Sequence, residues 1–188
     1  MTRTELLGIG YWGFWNFPLS TKTNYINVLQ DINNWQWACG CVFGICTIYC
    51  PIPYNQVFYA QVGPVSSNWD RACELYAQIT GTQTDYGYWH SLANNHARFG
   101  PNYSGNGFLP TWGTNNKIAF VGHSMGGQTI RWLEWMLQNG AASEKVAYPA
   151  GQPAASPLFT GSGRNWIKSV HTISTPHNGS PLYTALVR

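Results

Sequence analysis

The sequence predicts an α/β protein, a mostly parallel sheet with flanking helices. Three stretches carry this reading. "KIAFVGH" (117–123) is a short apolar run that leads straight into a glycine-rich turn, the mark of a buried strand. "GGQTIRWLEWMLQNG" (126–140) then sets Ile130, Leu133 and Leu137 on one helical side, with Gly140 placed to cap the C-terminus. "WIKSVHTISTP" (166–176) reads as a strand again. Strand, turn, helix, loop, strand is the grammar of parallel strands joined by crossover helices.

The elements ahead of this unit fit the same plan. "NYINVLQDINNWQ" (24–36) has helical spacing, with Ile26, Leu29 and Ile32 as its apolar face. "QVFYAQV" (56–62) is β-rich. "SSNWDRACELYAQIT" (66–80) opens on serine cap candidates and continues with Ala72, Leu75, Tyr76 and Ile79 at helical spacing. From Gly81 to Gly113 the chain is rich in Gly, Asn, Tyr and His, and reads as a long loop unless something pins it. The stretch 140–165 reads as a surface loop. No internal repeat is present, and 188 residues suffice for one domain with a real core.

Composition narrows the partners. Aromatic residues make up 15% and charged residues 9%, far below the usual quarter for charge, and the net charge is +3. No basic stripe exists, which argues against nucleic acid. Ten Trp in one domain suggest a packed globule, with exposed rings that meet apolar or sugar ligands. The first residues lack the long apolar core and cleavage site of a signal peptide, so the sequence names no compartment.

No charge lies between Asp31 and Asp70, and four of the five cysteines cluster there: Cys39, Cys41, Cys46 and Cys50. Their C-x-C-x4-C-x3-C spacing is not that of a zinc ribbon. The run is shorter than the roughly 20 apolar residues of a membrane helix and ends in Pro-Ile-Pro. It reads as an apolar insertion over 38–54 whose cysteines act as small hydrophobes.

Two clusters carry chemistry. "GHSMGG" fits G-x-S-x-G with Gly122, Ser124 and Gly126, and has the strand before and helix after that the motif needs. The serine occupies a tight turn, its neighbours must be small, and the helix N-terminus faces the place where negative charge develops. Ser124 is the candidate nucleophile and the backbone N–H of Met125 the candidate oxyanion donor. A base and a carboxylate are also needed. After Ser124 the acids are Glu134 and Glu144 and the histidines His171 and His177. Glu134 falls on the helix leaving the site, whereas Glu144 and His177 stay open as orienter and base. The second cluster is Asp70, His90 and His96, which are zinc ligand types, although D-x19-H-x5-H is no standard zinc spacing. Capping and surface roles stand beside the zinc reading.

The stretch 62–100 closely resembles the zinc-containing true lipases of thermophilic bacilli and staphylococci. It has the G-P-x-S-S-N-W-D-R-A-C-E run, a D-Y-G block and an H-A-R-F-G block in order. "GHSMGGQTIR", "SPLF" and "STPHNGS" match further blocks. The resemblance covers most of 62–182. It implies an α/β-hydrolase domain over 1–188 that cleaves carboxylic esters of acylglycerols, with Ser124 as nucleophile. It also implies zinc on Asp70, His90 and His96, within a zinc-binding loop and helix insertion over 63–113. A lipid surface is then a candidate contact.

Departures from the family set further expectations. The family's first oxyanion loop would precede Met1, and its fourth zinc ligand, catalytic aspartate and catalytic histidine would follow Arg188. The chain is therefore expected to be an internal fragment, truncated at both ends and catalytically incomplete. Alternatives are a non-enzymatic, zinc-stabilised module that binds lipid or protein, and a truncated gene product.

Overall fold

The computed structural model describes residues 5–9 and 57–179. In chain order its elements are β1 (Glu5–Ile9), β2 (Val57–Ala60), α1 (Asn68–Thr80), β3 (Gln83–Asp85), α2 (Tyr88–Asn94), β4 (Phe99–Asn102), β5 (Ile118–His123), α3 (Met125–Asn139) and β6 (Ile167–Ile173). Two 3-10 turns lie at Ser143–Lys145 and Pro157–Thr160. The cysteine-rich run 38–54 and the helix expected over 24–36 lie outside the described residues.

β2, β1, β5 and β6 form one parallel sheet in that order. Leu6 of β1 sits between Val57 and Ala119, and Ile9 sits between Ala60 and Gly122. β5 is buried at Ile118, Ala119 and Phe120 in succession, as expected of an inner strand covered on both faces.

α1 begins where its sequence says it should. The Ser67 hydroxyl accepts the Asp70 N–H at 3.1 Å and donates to Asp70 Oδ2 at 2.8 Å, which satisfies an otherwise orphaned helix donor. Gly81 closes the helix in the left-handed conformation, with φ 71°. The expected apolar faces are the observed ones. Ala72, Leu75 and Ile79 of α1 and Ile130, Leu133 and Leu137 of α3 are fully buried. With Phe120, Met136 and Phe159 they form one core, each large apolar side chain contributing about 1.5–3 kcal/mol.

Two stretches expected as loops are ordered. The stretch 81–113, a long loop unless something pins it, is pinned. It folds as the antiparallel pair β3–β4 with α2 between them, and Leu109 and Trp112 are buried in the main core. The stretch 140–165 is more than a surface loop, because Ala141, Glu144, Leu158 and Phe159 are buried. Both stretches are pinned by the same device. Arg98 donates to both carboxylate oxygens of Asp85, at 2.9 and 2.8 Å, and to the carbonyls of Pro153 and Ala154. Asp85 Oδ2 also accepts the Ser156 N–H at 3.1 Å. Among the described residues no helix is long and apolar enough to cross a membrane.

Candidate active site and metal centre

Ser124 stands at the junction of β5 and α3 with φ 52° and ψ −127°, a conformation that non-glycine residues rarely hold. Its N–H donates to the Ile173 carbonyl of β6 at 2.9 Å, and its carbonyl accepts the Gly127 N–H at 3.3 Å. The turn is therefore tied to the neighbouring strand on one side and to the helix on the other. The reason for the glycines is direct. A Cβ on Gly122 would come within 2.6 Å of Gly127 N and 2.7 Å of the Ile130 Cδ1 methyl. A Cβ on Gly127 would overlap Thr175 Oγ1 and Thr172 Cγ2. The spacing G-x-S-x-G pointed to Gly122 and Gly126, whereas the contact with Gly122 is made by Gly127. The second glycine of "GG" was the available signal. Met125 is the first residue of α3, so its N–H belongs to the helix end next to Ser124.

The acids and histidines after Ser124 are distributed as follows. Glu134 is exposed on α3. Glu144 is 3% exposed and faces α2: it accepts the backbone N–H groups of Trp89 and His90 and the Tyr148 hydroxyl. The carboxylate left open as an orienter is thus engaged elsewhere. His171 is exposed on β6. His177 is also exposed, and its Nε2 pairs with Thr172 Oγ1 at 3.1 Å.

The second cluster comes together although its members are spread over α1, α2 and the turn after α2. Ligand atoms of Asp70, His90 and His96 all lie within 4.8 Å of one another. His90 Nε2 is 3.1 Å and His96 Nε2 3.8 Å from the same oxygen, Asp70 Oδ1. His96 Nδ1 lies 2.9 Å from the Ala97 carbonyl. A carbonyl only accepts, so Nδ1 is the donor in that contact, and Nε2 is the His96 nitrogen on the Asp70 side and the one placed to ligate. The donor set therefore fits a metal such as zinc, and a backbone carbonyl orienting a ligating imidazole is the usual supporting arrangement. Burial holds the His90 imidazole below its usual 6.5, while Asp70 pulls the other way. A lowered value favours the neutral ring, which is the form that ligates.

Aromatic rings fix the histidines. Trp69 stacks on His90 at 4.6 Å and its Nε1 donates to the Tyr86 carbonyl at 2.8 Å. Tyr86 meets His96 edge-on at 5.5 Å, and its hydroxyl donates to Glu74 at 2.9 Å. The Asp85–Arg98 pair described above lies inside the D-Y-G and H-A-R-F-G blocks. Sequence reasoning gave these two residues no role. Two charged residues in blocks of a chain that is 9% charged were the signal.

The family model for the lipase-like C-terminal domain matches residues 53–186. Lipase 2 of Staphylococcus aureus is 46% identical over 127 residues, which is 68% of this chain and 18% of that protein. The chain therefore spans about a fifth of the length of the curated relatives it matches. Among solved structures, lipase 1 from Pelosinus fermentans superposes with a TM-score of 0.74 and 34% identity, over 100% of this chain and 45% of that one. EstA from Clostridium botulinum superposes with a TM-score of 0.75 and 38% identity, over 98% of this chain and 38% of that one.

Proposed function

Because the chain belongs to the lipase-like C-terminal domain family, we propose that it is the nucleophile-bearing part of a serine hydrolase acting on carboxylic esters of acylglycerols. The observation that carries this reading is Ser124, held at φ 52° where a parallel strand turns into α3. Its hydroxyl is the attacking group. The Met125 N–H, at the positive end of α3, is the donor for the oxyanion that forms on the ester carbonyl. Zinc is the proposed cofactor, held by Asp70, His90 and His96. When bound it supplies charge compensation among these side chains and ties α1 to the segment around α2. It lies in the supporting structure, and no bond-making step is assigned to it.

Turnover by these residues alone is proposed to be slow. Glu144 bonds α2 and His177 bonds Thr172, and among the hydrogen bonds of the described residues neither reaches Ser124. An unassisted serine hydroxyl is a weak nucleophile. What remains without the base and its orienter is the contribution of oxyanion donor and binding, about 10³–10⁴-fold over water in a complete site.

The test is hydrolysis of p-nitrophenyl esters by wild type and Ser124→Ala at matched zinc. A weak release that disappears in the variant supports both statements. Fast, Ser124-dependent turnover would show a base assembled within these residues and refute the slow-turnover proposal. Release unaffected by Ser124→Ala would leave the alternative, a hydrolase-like module that binds lipid or protein without cleaving it.

A further inference from the structure

We propose that Glu144 is a positioning residue of the metal centre, holding His90 in register with Asp70 from the segment that follows the nucleophile helix. The proposal rests on the reading that Asp70, His90 and His96 take up zinc. Glu144 lies in the Ser143–Lys145 turn just beyond α3, 54 residues from His90 in sequence. It is one of seven acidic residues in the chain and is almost fully buried, which is unfavourable unless its oxygens are satisfied.

They are satisfied by α2. Glu144 Oε1 accepts the His90 N–H at 2.7 Å. Oε2 accepts the Trp89 N–H at 3.2 Å and the Tyr148 hydroxyl at 2.6 Å. α2 has only seven residues, and its N-cap, Gly87, offers no side-chain bond, so it cannot fix its own axis. Glu144 supplies that constraint from outside. The approach is built into Gly87, which has φ 95°: a Cβ there would come within 2.5 Å of the Glu144 carboxyl carbon.

The other side of the clasp is also secured. The Arg98 guanidinium lies 4.7 Å from the Tyr148 ring centre and is itself locked to Asp85. Tyr148 thus holds the carboxylate and cannot easily swing away. Because Glu144 binds the backbone N–H of His90 directly, moving the carboxylate moves the point from which the imidazole hangs. Ligating groups tolerate displacements of only about 0.5 Å. The support of the metal centre therefore extends beyond 63–113 into the segment after α3.

The experiment uses the full 188-residue chain. Zinc affinity is measured by competition with a chromophoric chelator for wild type and Glu144→Gln, and the visible spectrum of the cobalt-loaded proteins is recorded. Glutamine keeps one acceptor oxygen but turns an amide toward the other donors. Zinc affinity is expected to fall about ten- to a hundredfold, the usual effect of losing a supporting partner, and the cobalt bands are expected to shift. Tyr148→Phe keeps both N–H acceptors and removes the hydroxyl that steadies Glu144 and also accepts the Tyr88 N–H of α2 at 3.4 Å. It should lose affinity by a smaller factor, and it carries the test if Glu144→Gln does not fold. Unchanged affinity and spectrum overturn the proposal, even if the melting temperature drops. A wild-type chain that takes up neither zinc nor cobalt overturns the metal reading itself, and this proposal with it.

Discussion

Ser124 sits in a backbone region that costs of order 1–3 kcal/mol for a residue with a side chain. The surroundings sustain that strain through the contact of Gly122 with Gly127, which leaves no room for a methyl group. Gly122→Ala should therefore lower stability by about 1–3 kcal/mol, read as a shift of the urea midpoint, and should abolish any Ser124-dependent ester release. A variant as stable as wild type would mean that the turn relaxes freely. Glu74 gives a second residue-scale prediction. Burial, above all, holds its carboxyl above the usual 4.5, against the hydrogen bonds from Gly63 and Tyr86. The folded state then binds the proton more tightly than the unfolded chain. Glu74's stabilising contribution is complete below the ordinary value and is lost as pH rises through the raised one. In denaturation from acid to neutral pH, Glu74→Gln should gain on wild type as pH increases. A gap that does not change with pH would refute this.

At the scale of elements, α1 and α3 were legible because their apolar residues repeat at the helical period, and β2, β5 and β6 because they are short apolar or β-rich runs. Ile130, Leu133 and Leu137 needed no partner information to be assigned to a buried face. The stretches 81–113 and 140–165 were not legible in this way. Their order comes from side chains bonding to backbone groups 55 to 71 positions away, and no local period records such bonds. The Asp85–Arg98 pair is the clearest case, with both side chains under a tenth exposed. Arg98→Met leaves Asp85 a buried charge with only the Gly87 and Ser156 N–H groups as partners. Breaking one side of such a pair costs about 3–5 kcal/mol. Thermal unfolding should show that loss, and Asp85→Asn combined with Arg98→Met should recover part of it. Additive losses in the double variant would show that the two residues act separately.

For the whole molecule, the site types were legible in the sequence while their geometry was not. The motif around Ser124 gave its strand and helix, and Asp70, His90 and His96 are the residues that the fold gathers at one oxygen. The spacing of those three could not show this, because it takes the stacking of Trp69 on His90 and the clasp of Glu144 on α2 to set the two helices against each other. A metal held by that cluster would stabilise the assembled fold. A ligand that binds only the folded state stabilises it by RT ln(1 + [L]/Kd), about 2.7 kcal/mol at a hundredfold excess over Kd. For a chain of this size each kcal/mol moves the melting temperature by about 2–4 °C, so removing zinc should lower it by about 5–10 °C. Purified protein should carry close to one zinc per chain. His96→Ala should melt near the temperature of the chelated wild type and should no longer respond to chelator. His96 is the informative position, because its ring is the most exposed of the three and contributes least to packing. If chelation leaves the wild-type melting temperature unchanged, then the cluster holds no stabilising metal and is a cap on α1 built on the His90–Asp70 hydrogen bond.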